Sequence, residues 1–189
     1  MILVGIDASY TRLGYTIIDT ISKSIHIGNL PGKRGNTFQV VYQNAVRKSV
    51  ELLNALKDYD IDFLIIEEPF IGRESSEGLF LLDGILNYSI MLKGVKEIYN
   101  TNPSYLKTLH GFKYTKSDSV ELGKVLKGVY ENHGYSFNKS KLNDDESESF
   151  IFATRLFIRK EVDVNLNKDL ILAKPKLELE KEKLLYCKN

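Results

Sequence analysis

The fold of this chain is decided near its beginning, in residues 2–30, ILVGIDASYTRLGYTIIDTISKSIHIGNL. Residues Ile2–Ile6 form a short run of mostly branched apolar side chains, which is typical of a buried strand. Tyr15–Asp19 and Ser24–Leu30 have the composition of two further strands, and the residues Thr20–Lys23 between them predict a turn. The stretch therefore predicts a meander of three strands.

Beyond residue 30, predicted helices alternate with two further strands. The expected elements are helix Phe38–Tyr59, strand Ile61–Ile66, helix Glu77–Leu92, strand Val95–Asn100, a short helix Pro103–Leu109, and helices Ser117–Glu131 and Asn143–Arg159. In the first helix, the apolar stripe is marked by Val41, Ala45, Val50, Leu53 and Leu56. After Glu161 the pattern is weaker and is compatible with a strand at Leu170–Ala173 and a charged helix from Leu177.

This order of elements predicts the architecture. A meander followed by β-α-β-α units gives an α/β domain with a mixed five-stranded sheet flanked by helices, which is the element order of the RNase H-like fold. We expect a nuclease domain over residues 1–160, and residues 161–189 as a partly flexible C-terminal extension of that same domain.

Composition excludes several classes of protein and leaves the binding partner open. The 189 residues carry a formal net charge of +1, so total charge alone does not indicate nucleic acid. The single cysteine, Cys187, cannot form an internal disulfide, and we interpret it as an inert surface thiol in a reducing cytoplasm. No signal peptide is recognisable, and the most apolar stretch, Gly78–Leu92, is too short to span a bilayer. We therefore expect a cytoplasmic protein.

Acidic residues stand where apolar elements end or begin. Asp7 closes the first predicted strand and Glu67 closes the fourth. Asp145 and Glu148 open a late helix and, being three residues apart, project from one face of it. The row that begins at Asp145 continues into an apolar stripe that should pack on the sheet. Because ligand sites in open α/β sheets lie at the carboxyl ends of the strands, we expect the four acids to converge there.

Each acid alone has an ordinary explanation, since an acid in a first turn offsets the helix dipole and an acid after a strand often begins a solvated loop. Asp144 and Glu146 lie off the row and are interpreted as surface or capping residues. Together, the two acids at strand ends and the two on the helix, Asp7, Glu67, Asp145 and Glu148, supply hard oxygen ligands. Phosphodiester cleavage by two metal ions needs such ligands. The three histidines, His26, His110 and His133, are far apart in sequence. We therefore predict a site for Mg²⁺, with Mn²⁺ as a substitute, that cuts nucleic-acid backbones.

Three motifs resemble those of the RuvC-like Holliday junction resolvases. They are Gly5-Ile6-Asp7 followed by Leu13-Gly14-Tyr15, then Ile65-Ile66-Glu67-Glu68-Pro69-Phe70, and finally Asp145-Glu146-Ser147-Glu148-Ser149-Phe150-Ile151-Phe152-Ala153. The resemblance covers residues 2–158. It implies catalytic, metal-binding acids at Asp7, Glu67, Asp145 and Glu148. It also implies a symmetric homodimer that binds four-way DNA junctions and nicks two opposed strands.

Two positions depart from the family's pattern. Ala8-Ser9 replaces the usual Pro-Gly after the first acid, and Glu148 stands where bacterial members carry Asp. Both changes preserve the oxygen chemistry of the site. They indicate a diverged branch similar to phage-encoded resolvases, with broader specificity for branched DNA and the host cytoplasm as its location.

The resemblance also indicates residues for DNA binding. Lys107 and Lys116 lie in segments similar to those that carry basic residues beside the family's site, so phosphate contact or transition-state stabilisation is expected, the latter at Lys116. Phe70 stands where the family has an aromatic residue able to stack on an unpaired base, with a core phenylalanine as the alternative. Lys33 and Arg34 could touch the DNA backbone from their loop. For all four cations, a purely solvating role is the alternative.

The helix Glu77–Leu92 is apolar nearly all round. A helix that packs only on a sheet needs one apolar stripe, so a second face of this helix must also be covered. A two-fold homodimer contact would cover it, and burial under the C-terminal segment is the alternative.

The sequence thus predicts a crossover junction endodeoxyribonuclease that selects branched DNA by structure. A non-catalytic protein that binds branched DNA would keep the basic segments but would have no use for converging acids. An RNase H-like ribonuclease would instead cut an RNA–DNA hybrid. An actin-like phosphotransferase is disfavoured, because the chain lacks G-x-x-x-x-G-K-[ST] and is too short for two similar domains.

Overall fold

The structure, a computed structural model, describes residues 1–9, 11–32, 37–68, 77–101 and 116–173. Within these ranges, six strands form one sheet and helices cover both of its faces. The elements are β1 (Ile2–Ala8), β2 (Arg12–Asp19), β3 (Ser24–Pro31), α1 (Phe38–Leu56), β4 (Phe63–Glu67), α2 (Glu77–Lys93), β5 (Glu97–Thr101), α3 (Lys116–Asn132), β6 (Ser136–Phe137), α4 (Asp144–Arg159) and α5 (Val164–Leu172).

The sheet has the order β5-β4-β1-β2-β3-β6 and mixes parallel with antiparallel pairs. The predicted meander is present, since β2 pairs antiparallel with both β1 and β3. β4 lies parallel to β1, and β5 lies parallel to β4. The expectation of five strands is wrong, because β6 adds a sixth through pairs with Ser24 and Ile25. A strand of two residues is too short to show an alternating pattern in the sequence.

The side chains of β1 alternate between two hydrophobic cores. Val4 and Ile6 face the core shared with α1 and α2. Leu3 faces the opposite core, which is formed with α3, α4 and α5. Because successive side chains of a strand point to opposite faces, Asp7 projects to the α4 side. The alternation therefore directs Asp7 towards the helix that carries Asp145 and Glu148.

Two glycines allow α4 to lie directly against the sheet. A Cβ atom on Gly5 of β1 would lie 2.2 Å from the carbonyl oxygen of Ser149, and one on Gly14 of β2 would lie 2.2 Å from that of Asp145. Any side chain at either position would push the helix away. A buried hydrogen bond of 2.9 Å between the hydroxyls of Thr16 and Ser149 joins the same two layers. The first turns of α4 are thus fixed over β1 and β2.

The apolar stripe predicted for α1 is partly wrong. Ala45 and Leu56 are buried as expected, but Val50 is 52% exposed. The buried face instead includes Leu52 and, unexpectedly, Lys48. Ala45, Lys48, Leu52 and Leu56 follow one another at intervals of three or four residues, which is the spacing of one helix face. Lys48 is the one charged residue on this buried face.

The expected strand at Leu170–Ala173 is also wrong, since these residues end α5. Asp163 caps the helix by accepting hydrogen bonds from the backbone N–H groups of Asn165 and Leu166. Leu166 and Leu170, four residues apart, are both fully buried. A short apolar run with no turn signals is compatible with either element, and the helical spacing of the two leucines decides between them.

Several expectations concern residues outside the described ranges. These are the short helix Pro103–Leu109, the helix from Leu177, and Cys187. Within the described part of the chain, no helix has the length and apolarity needed to cross a bilayer.

Candidate active site

Two of the predicted acids meet at the ends of neighbouring parallel strands. Ile6 of β1 pairs with Ile66 of β4, so the next residues, Asp7 and Glu67, lie side by side on the same face. Asp7 is only 3% exposed. Its carboxyl group forms a hydrogen bond with that of Glu67. Two carboxyl groups in such contact oppose each other's ionisation, because both cannot carry full charge without strong repulsion.

Helix α4 brings the other two acids to the same place. Gly14 pairs with Asp7 across β1 and β2, and the backbone of Asp145 lies directly over Gly14. Asp145 is therefore held beside Asp7 by backbone packing. Glu148 follows one turn later on the same helix and accepts a hydrogen bond of 3.2 Å from the hydroxyl of Ser119 in α3. The structure thus brings all four predicted acids to the end of β1.

The electrostatics of Asp7 show how closely these groups converge. Burial raises the pKa of its carboxyl group well above the usual range, and the hydrogen bond with Glu67 raises it further. The charges of Glu67, Glu148 and Asp145 act in the same direction. Each neighbouring acid therefore opposes ionisation of Asp7, which is the condition that a bound cation would relieve. We call Asp7, Glu67, Asp145 and Glu148 the acid cluster.

The donor chemistry of the acid cluster fits a hard divalent cation. Carboxylate oxygens are the ligands that Mg²⁺ prefers, and these four come from two strands and a helix. As the side chains stand, no three acidic, histidine or cysteine groups among the described residues are arranged to hold one ion. The residues therefore suit a divalent cation by their chemistry and convergence, while a coordinating arrangement would need rotation of side chains.

Two basic side chains, Arg12 and Lys48, lie close to the acid cluster. Nε of Arg12 lies 3.6 Å from Oδ2 of Asp145, and its Nη1 lies 3.7 Å from Oδ1 of Asp144. Arg12 is about half exposed, so it lines the rim. Lys48 approaches from α1 and is fully buried at 0% exposure. Its ammonium donates a hydrogen bond of 2.7 Å to the carbonyl oxygen of Ser9. Neither cation was expected from the sequence.

A signal for Lys48 was nevertheless present in the sequence. It lies three residues after Ala45 and four before Leu52, on the row that packs inward. A lysine inside an apolar row is unusual, because burying an ammonium is costly unless it has partners. For Arg12, which begins a strand after a polar loop, no such signal exists.

The neighbouring acids of α4 have the structural roles expected of them. Asn143 and Glu146 form a capping box, in which each side chain accepts a hydrogen bond from the backbone of the other. Glu146 is buried but also accepts hydrogen bonds from Asn29 at 2.8 Å and Lys139 at 2.5 Å. Asp144 pairs with Arg12 at the surface. The capping interpretation of Glu146 is therefore confirmed.

Most of the residues predicted to bind DNA lie outside the described ranges. They are Lys33, Arg34, Phe70 and Lys107. Lys116 begins α3, but its side chain also lies outside what the structure describes.

The two histidines in the described ranges, His26 and His133, have partners outside the acid cluster. His26 stacks on Tyr15, and Nε2 of His133 lies 2.7 Å from Oδ2 of Asp169. His110 is outside the described residues.

A basic cavity lies next to the acid cluster. It has a volume of about 340 Å³ and lies between α4 and the paired ends of β4 and β5. Its wall includes Arg155 and Arg159, one helical turn apart on α4, with Glu68 and Thr101 at the strand ends. Thr101 pairs with Glu67 in the sheet. The cavity wall at Thr101 therefore lies one strand away from Glu67. Two guanidinium groups, those of Arg155 and Arg159, line the cavity.

Comparison with solved structures identifies the fold. RuvC of Thermus thermophilus in complex with a Holliday junction substrate is 15% identical and superposes with a TM-score of 0.62, over 93% of this chain and 99% of that chain. The chain has the RuvC fold. A second structure of Thermus thermophilus RuvC gives a TM-score of 0.56 at 16% identity, over 85% of this chain and 96% of that one. The RNase H-like architecture expected from the element order is thus confirmed.

Comparison of the amino-acid sequence itself finds no match. No protein-family model and no curated protein sequence matches the chain. The likeness at 15–16% identity is therefore one of fold.

Proposed function

We propose that this chain is a metal-dependent endonuclease that nicks four-way DNA junctions, and other branched DNA, symmetrically as a homodimer. The observation that carries the proposal is the convergence of Asp7, Glu67, Asp145 and Glu148 on the buried end of β1. This convergence occurs on the RuvC fold, and one solved RuvC structure contains a Holliday junction. Four carboxylates at one point serve no purpose in a fold that is held together by its two hydrophobic cores.

The acid cluster would hold Mg²⁺, with Mn²⁺ as a substitute. When bound, such cations stabilise the attacking and leaving oxygens of an in-line displacement at phosphorus. The chain's own residues provide the rigidity that this chemistry needs. Asp7 and Glu67 are fixed by strand pairing, and Asp145 and Glu148 by the contact of α4 with Gly5 and Gly14.

DNA would reach the acid cluster over a surface that carries several cations. Arg12 at the rim is exposed and close enough to Asp145 to contact a phosphate held at the cluster. Arg155 and Arg159 offer a second place for a phosphate in the neighbouring cavity. Lys33, Arg34, Phe70, Lys107 and Lys116 complete the proposed surface as predictions from the sequence, with Lys116 also stabilising charge in the transition state.

The dimer contact is proposed for α2. Leu82, Leu86 and Ile90 of this helix are fully buried against the sheet and α1. On its other side, Tyr88 and Met91 are 64% and 68% exposed. Apolar side chains in such a position are suited to the same helix of a second copy, since a two-fold contact uses one patch twice.

A cleavage assay tests the function. The pure protein is incubated with labelled four-way junction, linear duplex or RNA–DNA hybrid, in Mg²⁺, Mn²⁺ or EDTA. We expect nicking of the junction that depends on the metal. Asp7→Asn and Glu67→Gln should reduce cleavage by at least about a hundredfold, by analogy with other charge-stabilising groups, without loss of junction binding. Asp169→Asn on α5 is the matched control and should cleave like the parent.

Other outcomes would assign another function. Junction binding without cleavage by the parent protein would indicate a non-catalytic binding protein. Cleavage of the hybrid alone would indicate a ribonuclease. Cleavage that survives in EDTA, or in both acid variants, would contradict the role of the acid cluster.

A further inference from the structure

Lys48 occupies a position that folding alone does not explain. It is fully buried on α1, in a row with Ala45, Leu52 and Leu56, which are also fully buried. A methionine or leucine there would continue the apolar row without the cost of removing an ammonium group from water. Burial of the ammonium therefore costs stability, which indicates a role in the chemistry of its surroundings.

The surroundings of Lys48 are the acid cluster. Its Nζ donates a hydrogen bond of 2.7 Å to the carbonyl oxygen of Ser9, two residues after Asp7. Burial lowers the pKa of the Lys48 ammonium to about 8 and the charge of Arg47 lowers it further, whereas the charges of Asp145, Asp7 and Glu51 favour the charged form. The ammonium is thus held in place by backbone at the end of β1 and acts on two of the four acids.

The positive charge of Lys48 partly offsets the negative charge of the acid cluster. Four carboxylates around one point would bind divalent cations strongly, even without substrate. A fixed positive charge beside two of them weakens that attraction, since it repels any cation that enters. Phosphate oxygens from DNA would then supply the missing negative charge.

We propose that Lys48 is a built-in counter-cation of the acid cluster, a positioning residue that weakens the binding of divalent cations until DNA phosphates join the site. The proposal rests on the proposed function, because it assumes that the acid cluster binds cations. Lys48 acts through Asp7, Asp145 and the Ser9 carbonyl, and it does not itself touch the substrate.

The test is a calorimetric titration of Mn²⁺ into the DNA-free protein. Removing the charge with Lys48→Met should tighten Mn²⁺ binding about tenfold, as expected from the loss of one nearby like charge in a partly buried site. Lys48→Arg keeps the charge and should bind Mn²⁺ like the parent. Lys57→Met removes an exposed lysine at the end of the same helix and is the control for total charge.

A purely structural lysine would give a different result. If Lys48 only closed the turn after β1, Lys48→Met would unfold at lower denaturant concentration, and its affinity for Mn²⁺ would be equal to that of the parent or weaker. Either affinity, in a variant that circular dichroism shows to be folded, would overturn the proposal.

A second measurement needs no metal and separates this proposal from the proposed function. In EDTA, urea unfolding of Lys48→Met, Asp145→Asn and the double variant gives the coupling between the two side chains. We expect the double variant to be more stable than the sum of the two single changes predicts. Additive changes would refute the role of Lys48. Equal Mn²⁺ binding by the parent and Asp7→Asn would instead refute the proposed metal site, whatever the coupling.

Discussion

Asp7 shows at the scale of one residue how converging acids oppose stability. Its pKa is raised by burial first and then by the neighbouring acids, so the folded protein binds a proton there more readily than the unfolded chain does. Because the folded state holds more protons, this group lowers stability as the pH rises above the unfolded value of about 3.9 towards the higher folded value. The cost is absent in strong acid and is largest above the folded pKa.

Replacing Asp7 should therefore stabilise the protein when no metal is present. We expect Asp7→Asn to increase the free energy of unfolding at pH 8 by about 1 kcal/mol or more, since one pKa unit corresponds to about 1.4 kcal/mol. The gain should decrease as the pH is lowered towards 4. Urea denaturation in EDTA across this range measures the effect, and a variant less stable than the parent at pH 8 would contradict the account.

Asp62 provides a matched control of opposite sign. The hydrogen bond from Lys96 lowers the pKa of this carboxyl group, and the N–H of Ile2 donates a second hydrogen bond of 2.8 Å. Its contribution to stability is therefore present at neutral pH and is lost as the pH falls. Asp62→Asn should destabilise the protein in the same experiment in which Asp7→Asn stabilises it.

Single residues could be predicted from the sequence where an element boundary marks them. Asp7 and Glu67 end strands, and Asp145 and Glu148 begin a helix, so their convergence followed from the order of elements. Lys48 is in the middle of a helix, and its importance comes from a contact with Ser9, 39 residues away. Nothing local in the sequence specifies such a contact.

At the scale of elements, the contact of α4 with the sheet determines the geometry of the acid cluster. Gly14→Ala would place a methyl carbon 2.2 Å from the Asp145 carbonyl oxygen. The helix must move, so we expect a loss of about 1–3 kcal/mol in the free energy of unfolding. Junction cleavage should fall more steeply, because Asp145 and Glu148 move with the helix.

Gly128 is the control for Gly14. It lies within α3, and a Cβ atom there would meet nothing within 4 Å. Gly128→Ala should stabilise the protein by about 0.5–1 kcal/mol, because alanine favours helix over glycine. Thermal unfolding and cleavage rates of both variants test the argument, which fails if Gly14→Ala cleaves like the parent.

Elements were predictable from the sequence where their apolar pattern was long. The three strands of the meander and the helices around 38–56, 77–93, 116–132 and 144–159 match their predicted positions to within a few residues. Strand β6 was too short to recognise. The run Leu170–Ala173 was misassigned because its four apolar residues fit either element, and only burial of Leu166 and Leu170 on one face resolves it.

At the scale of the whole molecule, the exposed side of α2 predicts self-association. Met91→Glu would place a charge where Met91 is now 68% exposed in the single chain. We expect the variant to be a monomer and the parent a dimer in light scattering coupled to size-exclusion chromatography.

The control for the dimer is Ile21→Glu in the turn between β2 and β3, where Ile21 is 84% exposed. This variant should remain dimeric. A parent protein that is already a monomer at micromolar concentration would exclude the proposed contact.

The proposed path of DNA across the molecule can be tested at the basic cavity. Arg159 is exposed on α4 at the cavity wall and lies 4.7 Å from the centre of the Tyr99 ring. Arg159→Ala should weaken junction binding equally for different DNA sequences and reduce the salt dependence by about one ion. Binding is measured in the inactive Asp7→Asn background over a range of salt concentrations. Lys168→Ala, an exposed cation on α5, should change neither quantity.

The contact of α4 with Gly5 and Gly14 also sets the order in which the protein can acquire its chemistry during synthesis. A ribosome releases β1 and β4 long before it releases residues 144–159, so the nascent chain carries at most two of the four acids until α4 emerges. The proposed metal site would therefore be incomplete throughout that interval. Under the proposed function, the chain would become able to cleave DNA only once α4 packs against Gly5 and Gly14.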